Sequence, residues 1–405
     1  MKILLINVSF GIGSTGKIVQ SLFEEYKKQG HEVYAIYGRH SNEHNTKTIL
    51  KSCYEIESKF WHFLSLFTGN LYGGVPLSTL RIKRLIKKIK PDVIHLHCIN
   101  GYFVNVYSLI RFLKKHNYPT VLTNHAEFMY TANCGYSLEC EKWKTNECKN
   151  CQRVKEFNGK LSLNRTHHFY KKMKIVFSGF KKLTITNVSP WLTNRVSESP
   201  ILNNRNKQIC TVLNPIQNAE TYLPSKINPY AKYNLPKDTK IVLHVTPDIN
   251  NPEKGGKSIN DLAKHFNDKS IMFFIKSNTK PLFVLEKNII NIEDKLNLQD
   301  LYDLYHFADL SLMLSKKETF SMVVAESLCC GTPVVGFKAG GPETITIPEY
   351  SSFAENGNIN QLSDAILAML SKDINKEVIA KEAKEKYSVA KISNEYLEIY
   401  KNLMI

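Results

Sequence analysis

The sequence predicts an α/β protein built from two Rossmann-like, doubly wound parallel-sheet domains, and three observations carry that expectation. At 405 residues and 43% hydrophobic, the chain exceeds what a single core organises. In its first half, short apolar runs (KILLINV, EVYAIYG, DVIHLHC, TVLTNHA) alternate with amphipathic stretches, as strand–helix–strand units do. A second series of the same kind runs from IVLHVTP through SIMFFI and ADLSLML to TPVVGF.

Taken in order, KILLINV reads as a buried first strand rather than a signal peptide. No run approaches the roughly 18 to 20 apolar residues of a membrane-spanning helix, so a cytoplasmic protein is expected. A glycine-rich turn follows, and Ile18, Val19, Leu22, Phe23 and Tyr26 then share one helical face, as a crossover helix requires. The segments TITNVSPWLTN and VLNPIQN carry the Pro, Asn and Ser of loops, which places the domain boundary near residue 187. The expected organisation is therefore 1–187, with a cysteine-rich insertion at 134–151, then 188–385. A terminal helix over 386–405 has Tyr387, Ile392, Tyr396, Ile399 and Tyr400 on its apolar side and is expected to pack back across the domain junction. Ligands of open parallel sheets bind beyond the carboxyl ends of the strands, so two such sheets facing each other imply a central cleft lined by post-strand loops.

The formal charge is +17, and only 8 of the 54 basic residues are arginine. That balance favours an acidic partner such as anionic lipid, although biased composition alone produces the same excess. KFWHFLSLF, RIKRLIKKIK and FYKKMKIVFSGFKK mix lysine with aromatics in a manner suited to an anionic membrane surface; solvated helix faces over a core fit them nearly as well. No recognised nucleic-acid-binding module is present, so nucleic acid is not an expected partner. Of the nine cysteines, Cys53, Cys98, Cys210, Cys329 and Cys330 lie in apolar contexts as core filler. Cys134, Cys140, Cys148 and Cys151 have the spacing C-x5-C-x7-C-x2-C in a polar stretch, which admits a closed, structural zinc site or a set of free thiols.

The strongest local signal is KKETFSMVVAESLCCGTPVVGFKAGGPETI. Between Glu318 and Lys338 the only charged side chain is Glu326, set among apolar and small residues. An ionised carboxylate there needs a partner, and it accepts two hydroxyls at once, so the vicinal diol of a ribose suits it. Glu318 precedes a helix start at which the backbone N–H groups of Thr319, Phe320 and Ser321 would meet an anion. With Gly331-Thr332-Pro333, Gly340-Gly341 and Glu343, this block resembles the E-x7-E motif of the retaining glycosyltransferases of family GT4, which have the two-domain GT-B fold. The resemblance covers almost the whole chain, including PYAKYNLP, ADLSLMLS and the final helix.

The resemblance implies that Glu326 anchors the donor ribose, Glu318 holds the transferred sugar and Lys254 contacts the diphosphate. Relatives commonly place an arginine shortly before that lysine. This chain has no arginine after position 205, which leaves Lys276 or Lys257 as auxiliary cations. The turn Gly13-Ser14-Thr15-Gly16 matches the loop that borders the donor phosphates, and it is neither a P-loop nor a complete dinucleotide fingerprint. His125 matches a strand-end histidine that hydrogen-bonds the sugar, with Glu127 as a weaker neighbour.

The implied reaction is transfer of a hexose from a nucleotide sugar, UDP-linked with GDP open. The acceptor is a saccharide, most naturally lipid-linked, in surface polysaccharide synthesis at the inner face of the plasma membrane. No catalytic metal is implied, because no paired Asp motif stands out. The rival readings are a nucleotide-sugar epimerase of the same architecture and a noncatalytic basic binder of RNA or membrane.

Overall fold

The computed structural model describes all residues except 41–43, 138, 146, 204–207 and 267–269. Arg205 therefore lies outside the described residues. The chain forms two compact units, Met1–Gln217 together with Ile392–Ile405, and Asn218–Lys391.

The first unit holds a seven-stranded parallel sheet. Its strands are β1 (Lys2–Asn7), β2 (Glu32–Tyr37), β3 (Ile49–Lys51), β4 (Val93–Leu96), β5 (Thr120–Asn124), β6 (Leu183–Asn187) and β7 (Gln208–Thr211), in the order β3-β2-β1-β4-β5-β6-β7. Ile3 to Ile6 are wholly buried, as expected of a central parallel strand covered on both faces. The crossover helix α1 (Gly13–Lys28) buries the five apolar residues that its sequence placed on one face.

This unit extends to Gln217 rather than ending near 187, because β7 pairs in parallel with β6 and completes the sheet. Pro190 and Ser189 look like loop punctuation. They instead start a helix, Pro190–Ser197, with proline in its first turn and the Ser189 hydroxyl accepting from the Leu192 N–H. The end of the last helix (Val389–Met404) belongs to the same unit. Its Tyr400 hydroxyl meets Tyr26 Oη at 3.1 Å and His95 Nδ1 at 2.6 Å, and Tyr396 reaches Thr123 at 3.1 Å.

The second unit repeats the plan with six parallel strands: β8 (Lys240–Thr246), β9 (Ile271–Ser277), β10 (Ile289–Ile292), β11 (Leu310–Met313), β12 (Val334–Phe337) and β13 (Ser351–Ala354). Their order is β10-β9-β8-β11-β12-β13. Each sheet thus reverses direction once, between β1 and β4 in the first unit and between β8 and β11 in the second. Those reversals open the crevices where doubly wound sheets take ligands.

Candidate functional site

In the second unit, the loops after β8 and β11 flank the reversal point. The first carries the turn Pro252–Lys254, whose Asn251 side chain caps the Glu253 N–H. Gly255 then takes φ +83°, and a side chain on Gly256 would strike the Ile249 carbonyl at 1.7 Å, so only glycine lets this backbone close against the loop beneath it. The second loop places Glu318 against the turn after β12: Glu318 N donates to the Ala339 carbonyl at 3.0 Å, and Gly341 N donates back to the Glu318 carbonyl at 2.8 Å. Gly341 is equally obligatory, since a Cβ there would lie 2.2 Å from the Thr319 oxygen.

These two turns bring Lys254 Nζ to Glu318 Oε1 at 2.5 Å, with side chains only 22% and 18% exposed. Sequence reasoning assigned the two residues to separate parts of a ligand; the structure joins them in a charge-assisted pair across the crevice. Glu343 accepts from the Ala339 and Gly340 N–H groups at 3.1 and 2.9 Å and so fixes the glycine turn from behind.

The helix over Met322–Cys329 starts two residues later than its motif implied. Ser321, at φ +80°, is its cap, with Thr319 and Phe320 buried ahead of it. A serine at that φ is strained, and such strain persists where the surrounding contacts over-determine it. Phe320 is spent on packing, edge-on to Tyr387 with ring centroids 6.2 Å apart. Glu326 is half-buried, and the Tyr305 hydroxyl reaches its Oε2 at 3.4 Å. Burial and the Glu326 carboxylate raise the Tyr305 phenol well above its ordinary value, so it stays a proton donor.

Tyr305 and His244 both escaped sequence reasoning. His244 sits on β8 with Nδ1 3.2 Å from the Leu312 carbonyl. Burial depresses it to about 4, while hydrogen bonds to the backbone of Leu312 and Lys254 oppose the shift. It is a neutral strut under the Lys254 turn. Lys276, proposed as an auxiliary cation, instead donates to the carbonyls of Ile292 and Asp294 at 3.2 and 2.5 Å, tying β9 to β10. Its neighbours line a recess of about 470 Å³ beyond the ends of those strands. Lys257 is exposed on the following helix.

In the first unit, the turn Gly13-Ser14-Thr15-Gly16 lies at the β1/β4 reversal. Gly11 N donates to the Gly16 carbonyl at 3.0 Å, and Thr15 hydrogen-bonds the Cys98 thiol that follows β4. Gly13 and Ser14 are exposed, and no side chain caps the helix that they open. His125 follows β5, with Nε2 3.0 Å from His97 Nδ1 and the two rings stacked. Burial lowers His125 to about 4 and His97 and His95 well below their ordinary value, so the three imidazoles are neutral at pH 7. The alternation in VIHLHC was the available signal, because residues two apart on a strand share a face.

Glu127, the weaker candidate beside His125, is engaged within the first unit. It is fully buried and accepts from the Ser137 N–H, the Tyr130 hydroxyl at 2.5 Å and Arg195 Nε at 2.9 Å, which latches the cysteine-bearing segment to the domain. That segment also has a small core of its own: Trp143 is buried against Tyr130, with the Arg195 guanidinium 5.0 Å above its ring. The four cysteines do converge, lining one cavity of about 290 Å³. All four are free thiols, and burial pushes Cys134 up to about 12. Among the described residues, no three His, Cys, Asp or Glu side chains already stand in metal-binding geometry.

The chain is similar to known glycosyltransferases. Residues 285–386, which include Glu318 and Glu326, match the family "Glycosyl transferases group 1", and residues 15–154, which include His125, match "Glycosyltransferase Family 4". The chain is 28% identical over 236 residues to N-acetyl-alpha-D-glucosaminyl L-malate synthase of Bacillus anthracis, covering 54% of this chain and 60% of that protein. It is 24% identical over 202 residues to a putative colanic acid biosynthesis glycosyl transferase of Escherichia coli, covering 47% and 49%. The chain thus spans about half to three-fifths of the length of these curated relatives.

Among solved structures, sucrose-phosphate synthase from Thermosynechococcus elongatus superposes with a TM-score of 0.67 at 16% identity, covering 99% of this chain and 98% of that one. Anabaena HepE in complex with UDP and glucose gives 0.62 at 12%, covering 99% and 100%. The architecture is therefore the GT-B type. The chain is related to the glycosyltransferases that match its two halves.

Proposed function

We propose that this protein transfers a hexose from a UDP-sugar to a saccharide acceptor, with retention of anomeric configuration. The Lys254–Glu318 pair at the reversal point of the second sheet carries the reading, because it sets a cation and a carboxylate side by side where such sheets take nucleotides. On donor binding, the diphosphate would draw Lys254 Nζ away from Glu318. The lysine then neutralises the leaving group, and the freed carboxylate accepts from hydroxyls of the transferred sugar. Glu326 would accept the two ribose hydroxyls, backed by the Tyr305 proton. The neutral His125–His97 pair suits a hydrogen bond to the sugar rather than proton abstraction, since a base depressed to about 4 is weak.

Attack from the face the diphosphate leaves, through an oxocarbenium-like state, lets the departing phosphate oxygen take the acceptor proton and needs no protein nucleophile. The UDP-bound structural relative supports the choice of nucleotide, and the colanic acid relative supports a surface polysaccharide setting. In that setting the acceptor is lipid-linked and the protein works at the inner membrane face.

Screening nucleotide sugars for slow donor hydrolysis, followed by transfer to lipid-linked sugars, tests this reading. Hydrolysis of one UDP-sugar with transfer supports it. Interconversion of the free nucleotide sugar without transfer would establish an epimerase instead. The convergence of Cys134, Cys140, Cys148 and Cys151 supports a structural zinc reached by rotation of the thiols inward. Metal analysis of the purified protein checks it: about one zinc per chain, removed by chelation with loss of folding stability, is expected, and a metal-free protein of unchanged stability would refute it.

A further inference from the structure

Helix α2 (Glu55–Thr68) is patterned the wrong way round for a helix that only covers a core. The residues it buries are two serines, Ser58 and Ser65. Outward it presents Ile56, Phe60, Phe63 and Phe67, which are 87%, 55%, 58% and 39% exposed and spaced to share one helical face. Its inward side joins half-buried Trp61, Leu64 and Leu66 with polar bonds: Arg39 Nη1 donates to Ser58 at 2.6 Å, and Ser65 Oγ bonds the His62 carbonyl and the Tyr102 hydroxyl, both at 2.7 Å. Next to the exposed row, Leu163 N donates to the Phe67 carbonyl at 2.9 Å. Leu161 and Leu163, 73% and 61% exposed, extend the apolar surface there.

The rim is basic. Lys59 is exposed and ion-paired to no described residue. Glu57 accepts from the Leu77 and Ser78 N–H groups at 2.7 and 2.9 Å, which fixes α2 beside the start of helix α3 (Pro76–Ile89), where Arg81 and Arg84 are exposed. An aromatic row flanked by cations on a helix held down by its serine side is the arrangement that lies in the boundary of an anionic bilayer, apolar face down.

We propose that the exposed face of α2 inserts into the anionic surface of a lipid bilayer and docks the first unit there. This deepens the reading of a membrane-presented acceptor, yet it is tested apart from it, because vesicle binding requires no donor or acceptor. Flotation of the full chain with phosphatidylglycerol–phosphatidylethanolamine vesicles is the experiment, with phosphatidylcholine vesicles as the neutral arm. The chain is expected to float with anionic vesicles and much less with neutral ones. The variant F60S/F63S/F67S should lose about tenfold or more of that partition, since burying even one Phe is worth about tenfold. K59E/R84E should lower binding to the anionic vesicles alone. Donor hydrolysis should stay unchanged in both variants, which separates failure of docking from failure of the proposed transfer.

Retention of full vesicle binding by the triple serine variant would overturn the proposal. So would an unmodified chain that ignores anionic vesicles, or one whose serine variant changes only from dimer to monomer.

Discussion

The two sheets share one plan of strand order, yet the crevices at their reversal points differ in chemistry. In the second unit the crevice carries full charge: Lys254 faces Glu318, and Glu326 stands on the next helix, partnered by Tyr305. In the first, exposed glycine and serine backbone stands near three imidazoles kept neutral by burial, and Arg39, Glu55 and Lys59 line one recess beside the loops after β1, β2 and β4, with Arg39 and Glu55 ion-paired at 3.0 Å. A charged crevice suits a polyanionic donor that must be neutralised as its bond breaks. Neutral imidazoles and backbone would suit a polyhydroxyl ligand that needs direction more than charge. On the proposed function, the same scaffold would divide the labour by what its post-strand loops present.

Removing the charge should give the largest effect. Lys254→Ala is expected to lower the turnover number for sugar transfer by about 10²–10³-fold, the usual cost of deleting one stabiliser of developing charge, with the melting temperature nearly unchanged. Steady-state rates beside a thermal melt check this, and a loss below tenfold would move the diphosphate contact elsewhere.

Glu326→Ala should act on binding. Two hydrogen bonds to a charged group at about 1.5–3 kcal/mol each imply a donor KM raised at least about tenfold, with a smaller change in turnover. Calorimetric titration with UDP alone, which retains the ribose, should show the same loss.

Acid should separate the two units. His95, His97 and His125 in the first unit and His244 in the second are all depressed in the folded state. Below the ordinary value near 6.5 the unfolded chain takes up protons that the folded one does not. Stability is therefore intact above about pH 6.5 and is lost as pH falls towards 4, by up to about 1.4 kcal/mol per pH unit for each histidine. The first unit carries three of the four, so hydrogen exchange at pH 5 should show it opening before the second. Simultaneous opening would mean the imidazoles do not set the acid limit.

The smallest effect is expected for His125→Ala. One neutral hydrogen bond is worth about 0.5–1.5 kcal/mol, so transfer should slow by about two- to tenfold without change in UDP binding.

Much of this was legible in the sequence because it is local. The apolar runs repeat with the period of buried strands, Glu318 and Glu326 stand out as charges in an apolar block, and Gly340-Gly341 marks a turn that a side chain on Gly341 would obstruct. The misreadings also have local causes. Proline and serine at 189–190 signal a loop as readily as a helix start, which hid β7 beyond them. Glu127 beside His125 stood only as a weaker candidate, and its partner Arg195, 68 positions away, could not be read locally.

The sequence by itself thus determined the two parallel sheets, the position of the acidic motif and the excess of lysine, since periodicity and composition need no long-range partner. Only the tertiary structure decided that Lys254 pairs with Glu318, that His97 supports His125, and that α2 turns its phenylalanines outward over buried serines. Each of these depends on which distant loop or face the fold brings alongside. Such pairings are set by strand order and crossover geometry, not by any pattern within a single segment.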